Sequence, residues 1–475
     1  MNAHVINTVD SSLTDILSRQ RAAFLRDGPP SLAARKADLR KLKDAVRARL
    51  PEFEKALDAD FEGRSAQETA ILEGVALVQG INYLSRNLKG WMRPQKRHVD
   101  MTFRPGRARV VYQPLGVVGI ISPWNFPVSL SLMPLATAIA AGNRAMIKPS
   151  ELTPATSDLL AKMLGEIFPE EQVAVVNGGL EIGAQFSGLP FDHLVFTGST
   201  PVGKIVMKAA SANLVPVTLE LGGKSPVIVE KGSSLERAAA SVAFGKLANG
   251  GQICVAPDYA LVAEGEVDAF VAAYDKAVRA LYPDGPASRD YTAIISERHY
   301  GRLRTLLDEA RVGGAQVIEV GANPAAARSR PHTLAPTVVL GATADMAILT
   351  EEIFGPVLPI VAYRDIDEAI ARINAGPRPL ALYYFGSNGE HRRKVLERTT
   401  SGNVTINDTL MHYAQDDLPF GGVGASGMGA YHGIEGFKSL SHAKGIFEQS
   451  RWNLTGVLRA PFGGLSEFVT RYLLR

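Results

Sequence analysis

Apolar positions recur along this chain with two different periods. In SLAARKADLRKLKDAVRARL (31–50), Leu32, Leu39, Leu42, Val46 and Leu50 fall at helical spacing behind Ser31, a residue suited to cap a helix. Pro51 is expected to open the next helix, since its fixed φ and missing N–H suit a first helical position. Residues 66–92 continue in the same style. The pattern then changes. ARVVYQPLGVVGIIS (108–122) is rich in β-branched residues and reads as strands. Its second half, GVVGIIS, has no polar alternation, which predicts a strand covered on both faces, as in a parallel sheet.

Short apolar runs then alternate with helical stretches. AMIK is followed by a helix from about 154, then come VAVVN and HLVFTG, a helix from about 200, and VPVTLE. This βαβ series predicts a doubly wound sheet. A second series begins after Cys254. It runs through DYALVAE, a helix near 266–282, AQVIEV, PTVVL, VLPIVAY, a helix at 366–373, LALYYFG and GNVTIN, and reads as a second α/β domain. The glycine-rich LPFGGVGASGMGAYHG (418–433) leads into a tail without a strong period.

The 475 residues exceed one ordinary core, so two or three domains are expected. Hydrophobic residues make up 46% and charged residues 21%, values of an ordinary soluble globular protein. The net charge of +3 is not gathered in one block, which argues against nucleic acid as a partner. No charge occurs between Arg109 and Arg144, but Pro123, Asn125, Pro127 and Pro134 interrupt the run. It therefore reads as strand, loop and buried helix, and no membrane span is expected. The N-terminus has no basic start followed by an apolar stretch, so no secretory signal is expected and the location should be cytoplasmic.

A single cysteine excludes an intramolecular disulfide and Cys-rich metal sites. Cys254 sits in FGKLANGGQICVAPD (244–258), among glycines expected to leave room for a substrate carbonyl. A lone cysteine is usually a small buried hydrophobe. As a nucleophile it needs a base or a favourable field, and any of nine histidines or a carboxylate could supply one. Glu220, in VTLELGGKSP (217–226), ends an expected buried strand at the sheet edge where ligands bind, although an edge ion pair would explain it equally well. Asn125, in ISPWNFPVS (121–129), is held in a rigid turn by flanking prolines. Its amide could donate to an oxyanion, or simply bond its own backbone. VFTGSTPVGK (195–204) opens a helix with small and hydroxyl residues that can face a phosphate. The G-x-G-x-x-G match at Gly422, Gly424 and Gly427 follows no buried strand and reads as a decoy.

PWNFP, IKPSE, FTGST, LELGGKSP, GGQICVAPD, EEIFGPVLP and PFGGVGASGMG occur in the order found in the aldehyde dehydrogenase superfamily, which this chain resembles over roughly residues 20–445. The short region before PWNFP resembles the class 3-like branch, whose members are often dimers. The tail SHAKGIFEQSRWNLTGVLRAPFG is similar to bacterial coniferyl aldehyde dehydrogenases. The resemblance implies an aldehyde dehydrogenase-like α/β fold with two doubly wound domains and a small β oligomerisation arm. The cofactor-binding domain would take 1–101 and 115–221, the catalytic domain 222–415, the arm 102–114 and 416–445, and a tail 446–475. Cys254 matches the catalytic thiol, Glu220 the general base and Asn125 the oxyanion side chain. Lys148 and Glu151 match residues that hold the adenosine ribose, with Ser150 between them. Gly198, Ser199, Thr200 and Gly203 match the helix start near the pyrophosphate. Glu352 and Phe354 match residues around the nicotinamide ribose and ring, and Trp124, Leu221 and Gly222 complete the implied cofactor set.

The implied reaction oxidises an aldehyde, aromatic such as coniferyl aldehyde or medium to long aliphatic, through a thiohemiacetal and a thioester. No metal is called for. Glu151 favours NAD, because a carboxylate accepts from ribose hydroxyls and repels a 2′-phosphate, while Lys148 keeps NADP open. The expected partner is a second copy, in a homodimer. RARVVYQP (107–114) reads as an exposed strand pair able to add to a partner's sheet. Phe126 stands where class 3 members often have tyrosine, and FVTRYLLR is too short and charged for the membrane anchor of some relatives. The rival readings are a CoA-acylating aldehyde dehydrogenase, against which Glu220 argues, a cofactor-free cysteine hydrolase, and a binding protein that kept the fold without turnover.

Overall fold

The computed structural model describes residues 11–453 and 455–474. Strand β1 (Gln95–Arg97) precedes β2 (Arg107–Pro114), β3 (Val117–Ile121), β4 (Arg144–Lys148), β5 (Val173–Val175), β6 (His193–Thr197) and β7 (Val217–Glu220). Next come β8 (Pro226–Val229), β9 (Tyr259–Ala263), β10 (Gln316–Glu319), β11 (Thr337–Leu340), β12 (Val357–Tyr363), β13 (Ala381–Phe385) and β14 (Asn403–Ile406). β15 (Gly427–Met428) and β16 (Ser441–Glu448) close the set.

They form three sheets. One has the order β15-β7-β6-β3-β4-β5, parallel except for β15, which runs antiparallel to β7 with Gly427 opposite Glu220. The second has the order β10-β11-β12-β9-β8-β13-β14, parallel except for β10. The third is a small antiparallel sheet, β1-β2-β16. This is the expected α/β architecture with two parallel sheets and a small β element. The central strands of both large sheets are mostly apolar and buried, as expected where both faces are covered. The uncharged stretch becomes β3, a loop and the helix Ser129–Ala141, all thirteen residues of which are buried. Among the described residues no helix is long and apolar enough to cross a membrane.

Four expectations need correction. Pro51 starts no helix; it lies inside a continuous one, Leu32–Phe61. Leu39, Leu42, Val46, Phe53, Leu57 and Phe61 make one buried face on both sides of it, and that burial outweighs the lost backbone bond. Ser31 does cap this helix, accepting from the N–H of Ala34. The second sheet begins before Cys254, at β8, a four-residue run too short for its period to be read. The tail contains a helix, Gly464–Leu473, with Leu465, Phe468 and Tyr472 exposed; ten residues carry too few turns for the spacing to stand out. Finally, RARVVYQP is less open than expected: β16 pairs with the whole of β2 on one side, and on the other β1 pairs with 108–110, leaving 111–114 without a strand neighbour there. The outer strands of this sheet are β1 and β16.

Candidate active site

In a parallel sheet every strand ends on the same edge, and ligands gather where the strand order reverses. In the first sheet that point lies between β3 and β6, since the chain proceeds from β3 to β4 and β5 on one side and to β6 and β7 on the other. The segment after β3 carries Trp124 and Asn125. The segment after β6 carries Gly198, Ser199 and Thr200. β4 ends in Lys148 and β7 in Glu220. The residues singled out from sequence therefore converge on one rim.

The cysteine reaches the same rim from the second sheet. The helix Leu235–Leu247 ends in a tight turn, where Asn249, Gly250 and Gly251 have φ of 50°, 61° and 78°. A Cβ on Gly251 would lie 2.4 Å from the Gly355 carbonyl oxygen, and one on Gly250 2.8 Å from that of Thr292. These glycines admit a left-handed backbone and close neighbouring chains; they do not clear space for substrate, as their sequence context suggests. Gln252 locks the turn, donating to the carbonyls of Asn249 (2.9 Å) and Ala293 (3.0 Å) and accepting from Ile295 N–H (3.0 Å). Asn125 is buried, and its Nδ2 donates to the Gln252 carbonyl at 3.0 Å rather than to its own turn. The carboxamide is thereby tied to the loop that ends in Cys254, with one amide N–H uncommitted by this bond.

Cys254 keeps part of its surface open to a cavity of about 290 Å³, whose walls include Leu72, Phe126, Leu130, Met133 and Ile253. Burial pushes its thiol up to about 12, with the Glu352 and Glu220 carboxyls adding to the shift and the backbone amides of Cys254 and Val255 opposing it. Glu220 is 3% exposed, and neither carboxylate oxygen has a partner among the described residues. Burial alone raises it well above the usual carboxylate range. Glu352 is pushed up to about 8, by burial first and by Asp258 second.

The cofactor candidates group unevenly. Trp124 meets Phe354 edge to face at 5.5 Å, and Phe354 takes a left-handed φ of 55°. Gly222 packs against Glu352, whose Oε2 would lie 2.2 Å from a Cβ there. Gly203 lets its helix approach Leu221, whose Cδ2 would lie 2.7 Å from an added Cβ, and Gly198 faces the Phe196 ring. Lys148 donates to Glu151 at 2.8 Å. Partial burial pushes the Glu151 carboxyl up, but the Lys148 bond prevails and holds it below its usual range. Ser199 stands at the cap of the helix Thr200–Ser211 without a side-chain capping bond, and Thr197 Oγ1 is buried without a partner among the described residues. That helix begins just past the end of β6, beside the switch point, so its leading amides are suited to a pyrophosphate. Ser150 serves its own turn, with Oγ accepting from Leu152 N–H, and Thr200 Oγ1 donates to the Ala425 carbonyl. The decoy glycines pack against β7: a Cβ on Gly427 would lie 2.1 Å from the Leu219 carbonyl oxygen.

Sequence reasoning missed the supports of this site. Asn249 and Gln252 fix the cysteine turn, and Arg64 and Glu73 form a buried ion pair beneath Asn125. An arginine and a glutamate nine residues apart in a helical region read as solvated charges.

The profile of the aldehyde dehydrogenase family matches residues 12–446. The chain is 50% identical over 453 residues to a probable coniferyl aldehyde dehydrogenase of Pseudomonas aeruginosa, covering 95% of this chain and 94% of that one. It is 47% identical over 458 residues to a coniferyl aldehyde dehydrogenase of a Pseudomonas species, covering 95% and 94%. Its fold matches the substrate-bound AldH of Staphylococcus aureus with a TM-score of 0.91 and 38% identity, covering 97% of this chain and 99% of that one.

Because Cys254 is the only cysteine, alkylation reports on it alone. With the thiol pushed up to about 12, the reactive thiolate is scarce at neutral pH and grows as pH rises. The rate of iodoacetamide labelling of the cofactor-free protein should climb about ten-fold per pH unit from pH 7 to 10. A plateau near pH 8 would show that the thiol is not raised.

Proposed function

The chain belongs to the aldehyde dehydrogenase family, and we propose that it oxidises an aromatic aldehyde of the coniferyl type to its acid, with Cys254 as nucleophile and NAD as the preferred cofactor. The observation that carries this reading is the half-buried thiol on an apolar cavity, within electrostatic reach of a buried glutamate, Glu220, that has no partner among the described residues.

An aldehyde entering along Leu130, Met133 and Ile253 brings its carbonyl carbon to Sγ of Cys254. Attack by the thiolate forms a C–S bond and moves the carbonyl electron pair onto oxygen. The Asn125 amide and the Cys254 backbone N–H are the donors placed to receive that charge, and one such donor is worth about 3–4 kcal/mol in other acyl-transfer enzymes. When bound, a nicotinamide dinucleotide supplies the acceptor for the hydride that leaves the adduct's carbon, which makes it a thioester. Glu220 then takes a proton from water as that water attacks the thioester carbon, and the acid leaves as the sulfur is freed. Its raised proton affinity suits a base working near neutral or alkaline pH.

The cofactor would lie across the switch point, with Lys148 and Glu151 on the adenosine ribose and Ser150 shaping their turn. Gly198, Ser199, Thr200 and Gly203 would serve the pyrophosphate, and Trp124, Leu221, Gly222, Glu352 and Phe354 the nicotinamide end. The ionised Glu151 favours ribose hydroxyls over a 2′-phosphate, which supports NAD. The aromatic substrate is supported by the apolar walls and by the relatives' printed activity. We assign cofactor binding to 1–101 and 115–221, which carry every strand of the first sheet except β15, and catalysis to 222–415; residues 1–10 lie outside the described ones. Self-association falls to the arm of 102–114 and 416–445 with the outer strand β16, as a homodimer.

Cys254→Ala should abolish aldehyde-dependent NAD reduction while NAD still binds; retained turnover would exclude the mechanism. Glu220→Gln should slow deacylation more than acylation, so a pre-steady-state burst of reduced nicotinamide survives as turnover falls; loss of the burst removes the base role. In a panel of aromatic and aliphatic aldehydes with NAD and NADP, kcat/KM should be highest for a hydroxylated cinnamaldehyde with NAD, and preference for short aliphatic substrates or NADP would correct that choice. Light scattering should give a dimer, and a stable monomer would remove the arm's proposed role.

A further inference from the structure

The ion pair beneath Asn125 takes no part in this chemistry, yet it is more deeply buried than any other ion pair among the described residues. The side chains of Arg64 and Glu73 are 0% and 1% exposed. Arg64 Nη2 donates to Glu73 Oε1 at 3.0 Å, and Nη1 donates to the Asn125 backbone carbonyl at 2.7 Å. The guanidinium lies between the rings of Phe61 and Phe126, at 4.7 and 5.1 Å. Glu73 Oε2 accepts from the N–H groups of Val128 and Ser129, each at 2.8 Å. The pair therefore grips both ends of the turn 125–129, whose Phe126 and Ser129 line the cavity beside Cys254.

The same stretch of chain also reaches the nucleophile's turn. Glu68 accepts the Asn249 N–H on both oxygens at 3.1 Å and the Thr292 hydroxyl at 2.6 Å. Asn249 Nδ2 in turn donates to the Asn125 carbonyl at 3.1 Å and the Gln252 carbonyl at 3.2 Å. Glu68 caps a wide helical turn, Thr69–Val75, with π-type bonding, and Glu73 lies within it. Such turns favour functional sites.

An apolar pair of similar volume can often replace a buried ion pair without loss of stability, but these two charges also bond three backbone groups of one turn, which apolar side chains cannot do. The charges thereby give a fixed direction to the backbone that carries the Asn125 amide. We propose that Arg64 and Glu73 are positioning residues, acting through the backbone of 125–129 to hold the Asn125 amide where the oxyanion forms. The inference rests on the roles given above to Cys254 and Asn125. An oxyanion donor acts in the transition state and not on the bound aldehyde, so misplacing it lowers kcat and leaves KM almost unchanged.

Glu73→Gln, Arg64→Lys and the apolar double variant R64M/E73L test this in the full-length protein. Glu73→Gln and the double variant should lose at least about ten-fold in kcat with KM within about three-fold of wild type. Lysine at 64 keeps the charge but not the two-pronged donor, and should recover part of the loss. The double variant leaves the N–H groups of Val128 and Ser129 without their acceptor, so it should melt below wild type while still folding, and alkylate at Cys254 at the wild-type rate. A folded double variant with wild-type kcat overturns the proposal, as does failure of all three to fold, which would make the pair a folding element. Wild-type protein that turns over no aldehyde, or turnover surviving Cys254→Ala, would strike the underlying mechanism instead; Cys254-dependent turnover with unaltered variants strikes this inference alone.

Discussion

A reciprocal pair of hydrogen bonds joins the two halves of the site, from the Asn125 amide to the Gln252 carbonyl and from the Asn249 side-chain amide to the Asn125 carbonyl. The Asn125 amide belongs to the loop after β3 in the first sheet, and the Gln252 carbonyl it meets at 3.0 Å belongs to the turn before β9 in the second. A sulfur, an oxyanion donor and a redox ring have to meet around one carbon atom, and these groups come from separate sheets. Their relative placement depends on how tightly the seam between the sheets is held. Around these bonds the backbone is heavily tied: Gln252 makes three side-chain bonds, Asn249 two side-chain bonds, and Asn125 O accepts from two donors. Each tie is buried, where an unmade bond costs more than a made one contributes. The seam is accordingly intolerant of partial loosening.

Within this rigid frame the ionisable groups are deliberately uncomfortable. Glu220, Glu352 and Cys254 all sit where burial disfavours charge. Three anions cannot crowd this crevice together, so each proton move changes the cost of the next. A carboxyl with no partner is poorly suited to stabilising a fold but well suited to accepting a proton from a passing water. Its discomfort is tolerable because the surrounding backbone is so fully bonded.

The sequence made the large features legible for physical reasons. Continuous apolar runs marked buried parallel strands, and the proline-flanked Asn125, the strand-end Glu220 and the lone Cys254 each lay where local chemistry was unusual. What escaped it depended on tertiary packing. Pro51 broke the local rule for helices, yet one buried face runs straight through it. The glycines before Cys254 suggested open space, whereas they answer to positive φ and to the carbonyls of Gly355 and Thr292. Arg64 and Glu73 gave no signal, because charged residues in a helical region normally face water. The Arg64 guanidinium is covered by its neighbour Phe61 and by Phe126 from a distant loop, a contact that only the folded chain makes.

The strand β15 has a consequence for how the protein is made. Its two residues, Gly427 and Met428, cover the edge of β7, which ends in Glu220 more than two hundred positions earlier. A ribosome must therefore deliver nearly the whole polypeptide before the first sheet is sealed. Until then the strand that bears the proposed base presents a bare edge, open to the wrong neighbour. Nascent chains and prematurely stopped products share that exposure, and they are the forms that most need a chaperone.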